Sequence, residues 1–272
     1  MRGVESPSNP VVQRMRGLHT AAGRREQGEF LIEGTRLVGE AVAASWPIGV
    51  ALYDAERARS DERLASLVGQ IPNALPASPR AIKHASDTVT PQGIVATARM
   101  PARLDAIDPT EPIVLILDGL ADPGNAGTLL RSALAAGVRT VLALKETVEL
   151  FSPKVVRAGM GAHFHLSLRG EVTWGEVEAL LGNSRVLAVA EAFGATPYYR
   201  FDWHRSTGLI VGGEAHGPSA EALRRASTRL SIPLTGGVES LNAAIAGSVI
   251  LFEAKRQRDT EGGRSAGPST TA

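Results

Sequence analysis

Residues 231–253 read SIPLTGGVESLNAAIAGSVILFE, a short extended piece that turns through two glycines into a long apolar helix. The predicted helix begins with the polar run ESLN at residues 239–242, although asparagine is a poor helix former. Such a conflict between local propensity and position is typical of a binding or catalytic site. A structural alternative also fits the pattern, in which Ser240 caps a buried helix.

A second glycine-rich turn lies just upstream, in LIVGGEAHGPS at residues 209–219. An apolar strand ends there on two glycines that precede Glu214. Open α/β sheets bind ligands at the carboxyl ends of their strands, so Glu214 is a candidate site residue. The alternative is a plain connection in which Ser219 caps the following helix.

A third turn, LDGLADPGNAGTLLRSALAAG at residues 117–137, links another strand to a helix. A helix that begins after a glycine turn suits a polar or anionic ligand, and Asn125 and Arg131 are the candidates. The turn is not a phosphate-binding P-loop, because Asn125-Ala126 stand where lysine and serine or threonine are required. The absence of G-x-G-x-x-G also argues against an ordinary nucleotide-binding oxidoreductase. In the structural alternative, Asn125 caps the helix and Arg131 is a solvated surface residue.

Strands and helices alternate regularly from residue 113 onward, and the strands are continuously apolar. This pattern predicts an α/β domain with a parallel sheet covered on both faces. A smaller α/β unit precedes it, and a proline-rich stretch around residue 106 marks the boundary. We therefore predict one domain at residues 1–106, a second at 107–258, and a disordered Gly/Ser/Thr-rich tail at 259–272.

The composition of the 272-residue chain excludes several kinds of chemistry. The absence of cysteine excludes disulfides, cysteine-ligated zinc and a thiolate nucleophile. The histidines lack metal-ligand spacing, so no metal is expected, and the pair His163 and His165 on a predicted strand is interpreted as structural. No apolar run is long enough to cross a membrane and no secretory leader is evident, which predicts a cytoplasmic protein without membrane contact.

The net charge of +1 does not by itself indicate a nucleic-acid partner. The distribution of charge is more informative, because RMRGLHTAAGRR at residues 14–25 contains four arginines and no acid. Such a segment is either a solvated face or a surface that meets phosphates.

The order and spacing of three motifs decide between these alternatives. NAGTLLR at 125–131, GGEAHG at 212–217 and SIPLTGGVESLN at 231–242 together resemble the SpoU/TrmH-type RNA ribose 2′-O-methyltransferases of the SPOUT superfamily. The resemblance covers residues 113–257 and extends more loosely over residues 9–44. It implies a C-terminal parallel-sheet α/β domain with a trefoil knot, preceded by a smaller L30e-like α/β domain that binds RNA. One departure is Ala215, which replaces a frequent glycine.

The resemblance also implies S-adenosylmethionine as methyl donor and an RNA ribose 2′-hydroxyl as acceptor. The positions that match cofactor-contacting residues of the family are Gly212, Ile232 and Leu241, with Ala190 assigned to the same pocket. Glycine at 212 is expected to let backbone amides approach the cofactor. Arg131 matches the proposed base of the family. A guanidinium gives up its proton reluctantly, so we favour a role in orienting the ribose and stabilising the developing alkoxide.

The remaining polar motif residues receive supporting roles from the same resemblance. Asn125 and Glu214 are expected to fix Arg131 and the ribose, while Ser240 and Asn242 are expected to bond the substrate or the knot backbone. The arginines expected to contact RNA are Arg14, Arg16, Arg24, Arg25 and, on the predicted helix PKVVRAGMGA, Arg157.

The expected partner is RNA, and the extra N-terminal domain favours ribosomal over transfer RNA. A homodimer through the C-terminal domain is also expected, because the last helix is apolar around much of its circumference. Three alternatives stay open: a transfer-RNA ribose methyltransferase, an enzyme that methylates a base, and a non-catalytic RNA-binding assembly factor on the same fold.

Overall fold

The computed structural model describes residues 3–182 and 184–262. The chain forms two compact units, of which the first combines the chain up to Ala102 with Glu149–His165. The second combines Arg103–Val148 with the chain from Leu166 onward. This differs from the predicted division, which assigns residues 149–165 to the C-terminal domain. The physical reason is aromatic packing, because the rings of Phe151 and Phe164 lie 5.0 and 6.5 Å from that of Phe30.

The first unit contains a four-stranded mixed sheet with strand order β1-β4-β2-β3. Strand β4 is antiparallel to both β1 and β2, whereas β2 and β3 are parallel. The strands are β1 Glu29–Glu33, β2 Ile48–Asp54, β3 Ala74–Ala77 and β4 Ile94–Arg99. The helices of this unit are α1 Pro10–Gly17, α2 Ala21–Gln27, α3 Thr35–Ala43, α4 Ala55–Ser60, α5 Glu62–Gly69, α6 Pro79–Ala85 and α8 Pro153–Gly159.

Helices α1 and α6 cover part of this sheet. Asn9 caps α1 by accepting from the Val11 amide at 2.9 Å, and Pro10 follows at the first helical position, which favours a helix start. Helix α1 buries Val12 and Met15 in one cluster with Ile82 of α6. The two helices therefore lie together on the core, with their polar faces toward solvent.

The second unit contains a seven-stranded parallel sheet with order β7-β6-β5-β10-β8-β11-β9. Every residue of β5, β6 and β10 is buried, which confirms the prediction of an α/β fold with a parallel sheet. The strands are β5 Ile113–Asp118, β6 Thr140–Leu144, β7 Ser167–Val172, β8 Val186–Ala190, β9 Thr196–Pro197, β10 Thr207–Gly212 and β11 Thr228–Ser231. The helices are α7 Pro123–Ala135, α9 Trp174–Leu181, α10 Ala220–Arg225 and α11 Ala243–Gly262.

The strand order positions the three motifs. The chain runs outward from β5 to β6 and β7, then returns to the other side of the sheet, where β10 inserts between β5 and β8. Ligands in open α/β sheets bind where the strand order reverses in this way. The loops after β5, β10 and β11 carry the three motifs, so these loops follow strands at or near the reversal. The trefoil knot implied by the resemblance stays a prediction.

Two local predictions are corrected. His163 and His165 do not alternate on a strand, because residues 162–164 form a 3₁₀ turn and β7 begins at Ser167. Helix α11 continues through residues 259–262, which the sequence assigned to a disordered tail, and the rest of that tail lies outside the described residues. Within 3–182 and 184–262, no helix combines the length and apolarity that a membrane span requires.

Candidate active site

The site begins with two glycines at the end of β10. A Cβ atom at Gly212 would lie 2.2 Å from the backbone nitrogen of Pro218, and one at Gly213 would lie 2.3 Å from the carbonyl oxygen of Gly119. The amide of Gly217 donates to the carbonyl of Gly213 at 3.0 Å and closes the loop. Gly212 was expected to make room for a cofactor. The structure adds a second reason, since the loop folds back on its own strand and leaves no room for a side chain at this position. The approach of the cofactor to Gly212 stays a prediction.

Glu214 lies in that closed loop and bonds to the motif after β5. Its carboxylate accepts from Nδ2 of Asn125 at 2.7 Å and from the amides of Ala121 and Asp122 at 3.2 and 3.4 Å. Partial burial alone would raise the pKa of Glu214, but these hydrogen bonds outweigh it and lower that pKa below its usual value. Glu214 is therefore ionised at neutral pH and acts only as an acceptor.

The ionised carboxylate fixes the orientation of two asparagines. Because Glu214 only accepts, Asn125 donates through its NH₂ group, and its Oδ1 accepts from Nδ2 of Asn242 at 2.9 Å. Oδ1 of Asn242 accepts in turn from the amides of Ala244 and Ile245 at 2.9 and 3.2 Å. We call this series of hydrogen-bonded side chains, Glu214–Asn125–Asn242, the polar relay. It joins residues of all three motifs, the two asparagines being 117 positions apart.

The polar relay also explains the asparagine at the head of an apolar helix. Asn242, and not Ser240, caps α11, since its side chain satisfies the first amides of that helix. The structural alternative was therefore right about a cap and wrong about its residue. Asn242 serves as cap and as relay member at once.

A cavity of about 360 Å³ lies at the carboxyl ends of β8, β10 and β11, beside the start of α11. All four residues expected to contact the cofactor line it, together with the polar Glu214 and Ser240 and the apolar Leu230 and Ile250. The four are Ala190, Gly212, Ile232 and Leu241. Its volume is typical of small-molecule sites.

These residues fit S-adenosylmethionine. Ile232 and Leu241 offer apolar surface to an adenine ring, and the ionised Glu214 gives the lining a negative charge that suits a cofactor with a sulfonium group. Glu191 also lines the cavity, and Arg229 lies 3.7 Å from its carboxylate. Two ionisable lining residues, Glu191 and His216, were not predicted from the sequence. The sequence signal for His216 was its place inside GGEAHG, whereas Glu191 follows β8 without any motif.

Arg131 does not belong to this arrangement within one chain. It lies on α7, about 9 Å along the helix axis and about 120° around it from Asn125. Its side chain is exposed, as are Thr128 and Ala135 of the same stripe, and it makes no hydrogen bond or ion pair with the residues that the structure describes. The expectation that Asn125 and Glu214 fix Arg131 is therefore corrected, because those two side chains bond each other instead.

Helix α11 lies beside α7 and shares its exposed side. The hydroxyl groups of Ser248 and Ser132 form a hydrogen bond of 2.7 Å, which joins the two helices. Ile245 and Phe252, two turns apart on α11, are 54% and 47% exposed, which is high for large apolar side chains. We call this surface, with Thr128 and Arg131 of α7, the α7–α11 face.

The arginines expected to contact RNA divide into two buried or half-buried residues and three exposed ones. Arg24 is only 3% exposed, pairs with the carboxylate of Glu149 and donates to the carbonyl of Leu18 at 2.6 Å. Arg157 pairs with Asp87 at 2.8 Å and lies 3.5 Å from Glu33. Both are corrected to structural roles, because their guanidinium groups already hold carboxylates of the first unit.

The other three arginines are exposed. Arg14 pairs with Glu29 at 2.9 Å, and Nη1 of Arg16 lies 2.5 Å from Nε2 of His84. Arg25 is exposed on α2. The run of four arginines thus disperses in several directions, and no single surface collects all of its charge.

The fold and the site define a methyltransferase whose cofactor cavity lies where the strand order of the parallel sheet reverses. Residues 112–252 match the SpoU rRNA Methylase family, and residues 9–96 match the MRM3-like substrate binding domain. The chain belongs to the SpoU rRNA methylase family, which confirms the resemblance recognised in the sequence.

Relatives and solved structures agree over nearly the whole chain. The 23S rRNA (guanosine(2553)-2′-O)-methyltransferase RlmP of Bacillus subtilis is 33% identical, over 93% of this chain and 98% of its own. The 23S rRNA (uridine(2479)-2′-O)-methyltransferase of Streptomyces viridochromogenes is also 33% identical, over 86% and 85%. The SpoU methyltransferase AviRb from that organism, solved in complex with AdoMet, superposes with a TM-score of 0.85 at 30% identity, over 93% of this chain and 99% of its own.

Proposed function

We propose that this enzyme transfers the methyl group of S-adenosylmethionine to a ribose 2′-hydroxyl of ribosomal RNA. The observation that carries the proposal is the polar relay, which joins three motifs beside a cavity lined by every residue expected to contact the cofactor. The named relatives are 23S rRNA 2′-O-methyltransferases that act on a guanosine and on a uridine. The proposal therefore specifies the ribose and leaves the base open.

S-adenosylmethionine supplies an electrophilic methyl group when bound. The chain contributes position, since in-line displacement depends on the alignment of the 2′-oxygen with that methyl group. Ile232 and Leu241 hold the adenine end, and the polar relay keeps the amides of Asn125 and Asn242 in one orientation. Ser240 offers a hydroxyl at the cavity wall for the substrate.

Glu214 is a positioning residue and not the base. Its lowered pKa makes it a weak proton acceptor, and its oxygens already bind three donors. Arg131 orients the ribose and stabilises the alkoxide that develops as the 2′-hydroxyl proton passes to water, and its guanidinium has no competing partner in the described chain.

The enzyme acts as a homodimer through the α7–α11 face. Exposed Ile245 and Phe252 are removed from water when a second copy covers them, which stabilises association by about 25 cal/mol for each Å² of apolar surface. Arg131 lies on the same face, so dimerisation brings it close to the partner subunit. Each active site is then completed near the interface.

The first unit binds the RNA, with Arg14, Arg16 and Arg25 among the contacts, and we place the reaction in the cytoplasm. The match of residues 9–96 to a substrate-binding domain supports ribosomal RNA over transfer RNA. Shape and backbone contacts dominate the recognition of structured RNA, and exposed arginines suit that task.

The deciding experiment combines the full-length protein, methyl-labelled S-adenosylmethionine and unmodified 23S rRNA transcript, followed by digestion to nucleosides. The expected product is one labelled 2′-O-methylnucleoside. Label in a base would establish the base-methylating alternative. Cofactor binding without any transfer would support an assembly factor, and faster transfer to a tRNA transcript would replace the proposed substrate.

A further inference from the structure

Helices α1 and α6 of the first unit meet through a contact between a guanidinium and an imidazole. Nη1 of Arg16 lies 2.5 Å from Nε2 and 3.2 Å from Nδ1 of His84. Next to this contact, Nε2 of His19 bonds the carbonyl oxygen of Ala85 at 2.9 Å and holds the end of α6 to the segment after α1. The contact between the guanidinium and the imidazole is therefore built into the packing of the two helices.

Further positive charge extends along α6. Arg80 and Lys83 stand four and one residues before His84, so the three side chains share one stripe of the helix. Arg80 and Lys83 are exposed, and neither forms an ion pair with any residue in 3–182 or 184–262. Neither helix contains an acidic residue.

Other arginines of the same unit show the contrast. Arg24 and Arg157 each hold a carboxylate, so their charge is neutralised within the first unit. On the α1–α6 surface, which we define as Arg16, Arg80, Lys83 and His84, no carboxylate of the described residues pairs with the basic groups. Exposed guanidinium and ammonium groups that hold no carboxylate are best satisfied by an anion with several acceptor oxygens, such as phosphate.

We propose that the α1–α6 surface binds the phosphate backbone of the RNA substrate. This inference rests on the proposed function, and it assigns to RNA binding the residues Arg80, Lys83 and His84, which lie outside the basic run at residues 14–25. The α1–α6 surface makes the phosphate contacts that were expected of Arg24, which is buried, and of Arg157, which is paired. It contacts successive phosphates and carries no base specificity.

The test compares two double variants of the full-length protein. Arg80→Ala with Lys83→Ala removes two charges from the α1–α6 surface. Arg59→Ala with Arg63→Ala removes two exposed charges from α4 and α5, which likewise form no ion pairs within the described chain. The two variants have the same net charge, so they differ only in where the charge is lost.

Binding to 23S rRNA transcript is measured over a range of salt concentrations. Each lost phosphate contact lowers the magnitude of the salt slope by roughly 0.7 to 0.9, so the α6 variant should lose about 1.4 to 1.8. The α4–α5 variant should keep the wild-type slope. Both variants should bind S-adenosylmethionine with unchanged affinity, which verifies that the second unit is intact.

Three outcomes overturn the proposal. An unchanged slope in the α6 variant refutes the surface alone, because wild-type binding and methylation persist. Equal losses in both variants show that only total charge matters, and the surface assignment then fails. If the wild-type protein neither binds nor methylates 23S rRNA, the proposed function fails and this inference fails with it.

Discussion

The polar residues that stand out in the sequence come together in the second unit and lie apart in the first. In the second unit, Glu214, Asn125 and Asn242 come from distant parts of the chain and converge in one hydrogen-bonded relay. In the first unit, the four arginines within residues 14–25 are close in sequence and disperse. The sheet explains the difference, because residues that follow parallel strands are delivered to one edge. Successive helical residues instead point about 100° apart, so Arg14 and Arg16 are directed to different partners.

The largest effect is expected at Arg131, a motif residue that is not hydrogen-bonded to the polar relay. Arg131→Ala should lower turnover by about 10²- to 10³-fold, the usual effect of removing one donor that stabilises developing negative charge. Cofactor affinity should stay unchanged, since Arg131 does not line the cavity. Thr128→Ala, on the same exposed stripe, is the matched control. A variant that retains a tenth of wild-type turnover would remove Arg131 from the mechanism.

The relay itself is tested at Glu214. Glu214→Gln replaces an acceptor with a group whose NH₂ opposes the donors around it. Hydrogen bonds to charged groups contribute about 1.5–3 kcal/mol, so turnover should fall roughly 10- to 100-fold. Glu214→Gln combined with Asn125→Ala should cost little more than either change alone, because both interrupt the same chain. Additive losses would show that the two residues act independently.

The same carboxylate predicts a pH dependence. The folded state lowers the pKa of Glu214, so the stabilisation from its ionised form is present above the ordinary carboxyl value and is lost as pH falls through the lowered value. The free energy of unfolding of the wild type should therefore decrease in acid. Glu214→Gln should remove this pH dependence, and an identical decrease in acid for both proteins would contradict the prediction.

The first unit contains a buried histidine whose titration affects the stability of the fold. His163 bonds the carbonyl oxygen of Leu150 at 2.8 Å, and burial lowers its pKa to about 4. Between pH 6.5 and 4 this histidine binds a proton in the unfolded chain but not in the folded chain. The free energy of unfolding therefore falls as the pH decreases through this window. At pH 5 the loss is about 2 kcal/mol relative to pH 7.5. In urea titrations, His163→Gln should show a pH-dependent loss smaller by that amount.

The contrast between the units also defines what the sequence can predict. Continuous apolar strands predicted the parallel sheet, and the glycine-bounded motifs predicted a site, because strand ends impose position. The burial of Arg24 was not predictable, since its partner Glu149 lies 125 residues away. The pairing of Arg16 with His84 depends in the same way on how α1 packs against α6. The choice of cap at α11 could not be read either, because Ser240 and Asn242 are both good caps and only geometry selects one.

The choice of Asn242 over Ser240 as the cap of α11 leads to the prediction with the smallest change in stability. Asn242→Ala should lower the free energy of unfolding by about 1 kcal/mol through the lost cap, whereas Ser240→Ala, with no cap to lose, should change it by less than about 0.5 kcal/mol. Asn242→Asp separates the two roles of the residue. Its carboxylate still accepts from the amides of Ala244 and Ile245, so stability should stay near wild type. It has no NH₂ to give to Asn125, so the polar relay is cut and turnover should fall as in Glu214→Gln. Wild-type turnover in Asn242→Asp would reduce Asn242 to a helix cap and leave Glu214 and Asn125 as the only functional pair.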